Sequence, residues 1–150
     1  MTFFSVWAAA AGAALATILI LDVPWVILNM RYGAYRGLIN GRVRHWAAVA
    51  ALWVLVAIVN AAAVSFITVN ALRWWTALLS GMLLGLAVYG TFNGTALVSF
   101  SSWTWTAASI DTMWGVSLFA AAAVASHLAA SSVRSKSLFE SATQHPASLK

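Results

Sequence analysis

The sequence predicts an all-α membrane protein: four transmembrane helices in an up-and-down bundle, with the N- and C-termini on the same face. Three observations carry that prediction. Of 150 residues, 63% are apolar and 7% charged, where soluble globular chains carry roughly 45–50% and about 25%. Mostly apolar stretches of more than eighteen residues recur four times, each able to cross a hydrocarbon core of about 30 Å. All eight Lys and Arg lie outside those stretches, where juxtamembrane cations meet anionic headgroups. The formal charge of +5 therefore belongs to membrane surfaces, and no soluble basic face is available for nucleic acid. The absence of cysteine excludes disulfides, thiolate metal sites and cysteine nucleophiles.

The first span is expected over residues 3–30. It lacks a basic leading segment and its apolar run is too long for a secretory leader, so it reads as a retained span. Pro24 inside it leaves the Ile20 carbonyl without its helix partner and predicts a kink. The other spans are expected over 45–70, 74–100 and 104–130. At about 1.5 Å per residue all four exceed the hydrocarbon thickness, so tilt or interfacial ends absorb the excess. Tryptophans mark those ends, with Trp7, Trp74 and Trp75 at one face and Trp46, Trp103 and Trp105 at the other. Residues 1–130 thus form one transmembrane domain. From Ser131 onward a Ser-rich segment with Arg134, Lys136, Glu140, Pro146 and Lys150 predicts a polar, disordered tail over 131–150. The loop 31–44 carries Arg31, Arg36, Arg42 and Arg44, against Arg73, Arg134 and Lys136 near the opposite face. That excess of one cation favours a cytoplasmic loop in an integral membrane protein.

Two acids stand out. Asp22 and Asp111 are the only acidic residues inside the apolar stretches, and each costs about 2.5–3.5 kcal/mol near the centre of a membrane helix. Such residues face a partner or a cavity. Asp22 lies eight residues before Met30, and Asp111 six after Trp105, or about 12 Å and about 9 Å inward from one membrane face. Because spans one and four run antiparallel, the acids come to similar depth. Asn93, near the end of span three, and Trp53, early in span two, reach the same layer.

On span three, Gly81, Gly85, Tyr89, Asn93 and Ala96 follow spacings of three and four and share a face. Gly81 with Gly85, and Gly90 with Gly94, are small-xxx-small pairs expected to pack helices within the bundle, with dimerisation as the alternative. Hydroxyls of Thr91, Thr95, Ser109 and Thr112 are expected to complete a small polar cavity, with Tyr89, Trp53, Thr91 and Thr112 as the supporting layer. Two neighbouring carboxylates without a resident cation cannot both ionise cheaply, so the pair holds a proton or a cation. A proton relay, a cation-coupled transport site and a site for a basic ligand are the three options. Against them stands a purely structural role, since polar groups in membrane bundles also join helices at about 0.6 kcal/mol each.

The remaining polar groups carry less. His127 reads as a hydrogen-bonded or interfacial histidine rather than a metal ligand, and His45 and His145 are too peripheral for a metal site. Asn60 is expected to bond a neighbouring helix in the far half of the membrane. No nucleophile elbow, phosphate loop, zinc pattern or nucleotide fingerprint is present, so no catalytic residue, metal or cofactor is predicted.

The stretches Leu21-Asp22-Val23-Pro24-Trp25 with a following Tyr32 or Tyr35, Gly85 to Phe92, and Asp111-Thr112-Met113-Trp114-Gly115 resemble a family of small membrane proteins grouped as domain of unknown function 2177. The likeness covers most of residues 21–118, and its last two motifs in tandem are its most specific part. The family usually looks like Tyr-Asp-Leu-Thr-Asn where this chain has Phe92-Asn93-Gly94-Thr95-Ala96, so Asn93 stands in place of a third carboxylate. The resemblance implies a multi-pass membrane protein without an assigned activity. The sequence therefore predicts a bilayer-embedded protein whose Asp22, Asp111 and Asn93 bind a proton or cation, in the manner of a small transporter working as a homo-oligomer. The alternatives are an accessory subunit of a membrane complex and a membrane-embedded lipid-modifying enzyme using one aspartate as acid or base.

Overall fold

The structure, a computed structural model, describes residues 3–33 and 46–144. Its four helices are α1 (Phe3–Arg31), α2 (Trp46–Thr68), α3 (Trp74–Ser99) and α4 (Trp105–Gln144). No strand occurs among the described residues, and all four helices contain a segment long and apolar enough to cross a membrane. The segment 34–45, with Tyr35, Arg36, Arg42, Arg44 and His45, lies outside the described residues, as do 1–2 and 145–150 with His145 and Lys150. The side on which the termini fall is therefore not described.

Small residues at four-residue spacing set the packing. On α1, Val6, Ala10, Ala14, Ile18 and Asp22 recur every fourth position and all are buried. On α3 the buried set is Ala77, Gly81, Gly85, Asn93 and Ala96. On α4, Ala108, Asp111, Gly115, Leu118, Ala122, Ser126 and Ala130 trace one inward stripe. Rows at this spacing form the ridges by which helices interlock. In lipid, close backbone approach across small residues supplies much of the association. The opposite faces carry large apolar side chains such as Leu52, Leu83 and Val98, which are exposed in the isolated chain and suit contact with lipid.

α4 is the central helix. It packs against α1, α2 and α3, whereas α1 and α3 do not pack against each other. Val6 and Ala10 meet Ala130 at one end of α1, while Asp22 meets Trp114 further along, so α1 and α4 are antiparallel. Gly81 lies against the Phe119 carbonyl and Ala123, and Gly85 against Gly115, so α3 and α4 are antiparallel too. A core of Ala57, Ala61 and Val64 with Ile18, Leu118 and Phe119 seats α2.

The end of α2 is pinned to α4. The Thr68 hydroxyl donates to the Val64 carbonyl at 2.7 Å and lies 2.8 Å from Ser126 Oγ. A hydroxyl has one proton to give, so Ser126 donates to Thr68. Just beyond, the Arg134 guanidinium donates to the Val69 carbonyl. α4 continues as helix to Gln144, past the apolar limit at 130 where the sequence predicts a disordered tail. Serine back-bonds run along this extension, Ser131 to the His127 carbonyl and Ser135 to the Ser131 carbonyl among them. α1 passes through Pro24 as one continuous helix, with Pro24 on its exposed side.

Candidate functional site

The stripes that pack the bundle also aim the acids inward. Asp22 is the next member of the Ala10–Ala14–Ile18 row, and Asp111 sits one turn before Gly115 on the α4 stripe. Asp22 is 7% exposed, Asp111 4% and Asn93 2%, so neither carboxyl faces lipid. Both line a cavity of about 420 Å³ that occupies the gap between α1 and α3, with α2 and α4 as its other walls.

Asp22 Oδ1 accepts the Trp114 indole N–H at 2.9 Å and the Tyr89 hydroxyl at 3.3 Å. Tyr89 thereby bridges α3 to α1 across the gap. The Trp53 indole approaches the same carboxyl from α2. Asn93 Nδ2 donates to Asp111 Oδ2 at 2.9 Å and to the Tyr89 carbonyl at 3.0 Å, which uses both of its hydrogens, and Thr112 Oγ1 lies 3.2 Å from the same nitrogen. Trp103 Nε1 donates to Asn93 Oδ1 at 3.1 Å. An indole N–H can only donate, so Trp103 fixes which end of the Asn93 amide is oxygen and points its N–H groups at Asp111.

The layer thus unites Asp22, Asp111, Asn93, Tyr89, Trp53 and Thr112. It does not include Thr91, which is exposed and whose carbonyl is taken by the Thr95 hydroxyl at 2.8 Å. Thr91 is two residues from both Tyr89 and Asn93, about 200° around the helix from each. Thr95 and Ser109 are likewise exposed. Of the glycines, Gly81 and Gly85 pack against α4, but Gly94 has nothing within 4 Å of an added Cβ and Gly90 meets only Leu86 of its own helix at 3.9 Å. Gly90 and Gly94 are therefore not intrabundle packing residues, because each is one position off the inward Tyr89–Asn93 stripe.

Three residues join the site that sequence reasoning placed elsewhere or left out. Trp103, expected as an interfacial anchor, lines the cavity and holds Asn93. Asn60, expected in the far half, lines the cavity too. Trp114 is the direct donor to Asp22, and its ring stacks on Trp25 with centroids 4.3 Å apart and planes 9° from parallel. The signal for Trp114 was the repeated Asp-x-x-Trp itself. On antiparallel helices the two copies run in opposite directions, so the Asp of one comes level with the Trp of the other. The pairing is realised once: Trp114 reaches Asp22, while Trp25 Nε1 is buried without a hydrogen-bond partner. For Trp103 no sequence signal separates it from Trp105, which is 78% exposed.

Comparison with curated proteins finds no match, and comparison with solved structures finds none. The family that does match is described as a predicted membrane protein, and the match runs over residues 7–128, which include every member of the layer and most of the apolar core. With four apolar helices of spanning length, the chain is a multi-pass integral membrane protein, and it belongs to the predicted membrane protein family grouped as domain of unknown function 2177 (DUF2177).

Proposed function

We propose that Asp22 and Asp111, with Asn93, form an intramembrane site that binds a proton or a cation, and that the protein is a small transporter built on that exchange. The supporting observation is the pairing of two buried carboxyls in one cavity whose wall, among the described residues, contains no Lys, Arg or His. A packing role for two acids would be met by a hydrogen bond apiece. A shared cavity of about 420 Å³ is more than packing needs.

The contacts suggest how the exchange is arranged. Oδ1 of Asp22 already accepts two donors, so a bound proton sits on Oδ2. Asn93 gives Asp111 a fixed N–H partner on Oδ2. Loss of protons leaves like charges facing each other in low dielectric, which a cation entering between them offsets. Proton release and cation entry are thereby coupled at one place. The test is ion flux in reconstituted vesicles. Asp22→Asn and Asp111→Asn each abolish flux under this reading, and unchanged flux in both variants ends it.

A second reading, an accessory subunit of a membrane complex, is favoured by one feature. The α4 extension over 131–144 reaches about 21 Å beyond the apolar span and carries Leu138 and Phe139, 72% and 71% exposed. It predicts that partners co-purify with the intact chain and are lost when the extension is removed. The outward Gly90 and Gly94 suit contact with a second copy, which would give a transporter more wall than one four-helix chain supplies.

A further inference from the structure

We infer that the cation taken by this cavity is a lipophilic organic cation, an amine or onium ion carrying apolar groups, rather than a metal ion. The inference rests on the proposed carboxylate site and adds the class of its cargo.

Size is the first argument. About 420 Å³ is more than ten times the roughly 30 Å³ share of one water, and it falls within the range of about 300–1,000 Å³ typical of small-molecule sites. A proton or a bare ion needs no such space. The second argument is the wall. Trp25, Trp53, Trp103, Tyr89, Phe92 and Phe119 all line it, drawn from α1, α2, α3, α4 and the α3–α4 connection. Aromatic rings attract cations through their negative faces, and ammonium ligands are recognised in this way. They also supply apolar contact for the groups such a cation carries.

The donor set is the third argument. Calcium takes about 6–8 oxygens and magnesium a near-octahedral shell. Among the described residues the carboxylate oxygens of this wall come from two aspartates, and of these Asp22 Oδ1 already holds Trp114 and Tyr89 and Asp111 Oδ2 holds Asn93. Among the described residues no three His, Cys, Asp or Glu gather in one place. A large, weakly hydrated cation needs no dense oxygen shell. It needs a counter-charge and an apolar wall, and the cavity has both. Depth separates a free cation from a lipid headgroup: Asp22 is nine residues inside Arg31, about 14 Å along the helix, below the level at which headgroup ammonium groups sit.

The experiment measures binding of radiolabelled tetraphenylphosphonium to the intact protein in phosphatidylglycerol nanodiscs, with neutral triphenylphosphine oxide as the apolar control. The expected result is saturable binding of the cation and none of the neutral compound. Affinity should fall as pH falls, because protons compete for the same oxygens, by about tenfold per pH unit for each proton displaced. Asp22→Asn and Asp111→Asn should each weaken binding at least about tenfold, and the pH series in the unaltered chain keeps the test independent of how the variants fold. Competition by phosphatidylcholine would assign the cation to a lipid headgroup, and its absence to a free ligand.

Labelling with dicyclohexylcarbodiimide, which attacks protonated carboxyls in apolar surroundings, separates the two layers of the argument. Labelling of Asp22 or Asp111 that tetraphenylphosphonium blocks supports both. Labelling without cation binding or protection overturns the cargo assignment and leaves the carboxylate site standing. Absence of labelling together with absence of binding removes both.

Discussion

A methyl group added at Gly85 tests whether the α3–α4 contact positions the carboxylate layer. A Cβ there would lie 2.5 Å from the Gly115 carbonyl oxygen and 2.9 Å from Val116 Cα. Ordinary contact begins at 3.4 Å, so the first distance falls short by 0.9 Å. Both obstacles are backbone of a packed helix and cannot rotate away, so the helices must part by most of that distance. Overpacking of this kind costs about 1–3 kcal/mol. Gly94 is the internal control, with nothing within 4 Å of its added Cβ. Alanine gains up to about 1 kcal/mol of helix propensity over glycine at either position, so that term cancels in the comparison. Gly85→Ala should therefore unfold about 1–3 kcal/mol more easily than Gly94→Ala in detergent. The separation should also reach Asn93, two turns further on the same face, and lengthen its 2.9 Å bond to Asp111. Carbodiimide labelling of Asp111 then rises in Gly85→Ala and not in Gly94→Ala. Equal stability of the two variants would refute the packing argument.

Other substitutions test single contacts. Trp114→Phe keeps a ring to stack on Trp25 but removes the N–H that reaches Asp22. The cost should be about 1.5–3 kcal/mol if Asp22 is charged and about 0.5–1.5 kcal/mol if it is neutral, so repeating the substitution at high and low pH reads the charge state from unfolding curves. Ser126→Ala removes the donor to Thr68, whose own proton stays on the Val64 carbonyl. It should cost about 0.6 kcal/mol, the mean for such bonds in membrane bundles, and a Thr68→Val, Ser126→Ala cycle should return a coupling of the same size.

The helices were legible because composition left no other choice: four long apolar runs in a chain this short can only satisfy their backbones as membrane helices. The inward direction of Asp22 and Asp111 was legible for a related reason. An acid costs about 2.5–3.5 kcal/mol near the centre of a membrane helix, so it turns to a partner or a cavity; the structure adds that each lies on a buried row of its helix. What failed was angular precision. Thr91 was read by proximity in sequence and Gly90 with Gly94 by their small-xxx-small spacing, yet one or two positions on α3 turn a side chain by about 100° or 200°. Trp103 was not legible at all, since a tryptophan at a membrane boundary serves equally as anchor or as donor, and only the fold puts its N–H beside Asn93. The α4 extension to Gln144 was hidden by serine content, which reads as loop. Its hydroxyls instead bond to carbonyls three or four residues back.

The claim beneath everything else is that Asp22 and Asp111 sense each other across one cavity. Isotope-edited infrared spectroscopy of the protein in lipid reads it directly, through the carbonyl stretch of each protonated carboxyl followed against pH. The account predicts that Asp111→Asn shifts the titration of the Asp22 band. An Asp22 band that titrates identically with or without Asp111 would contradict it.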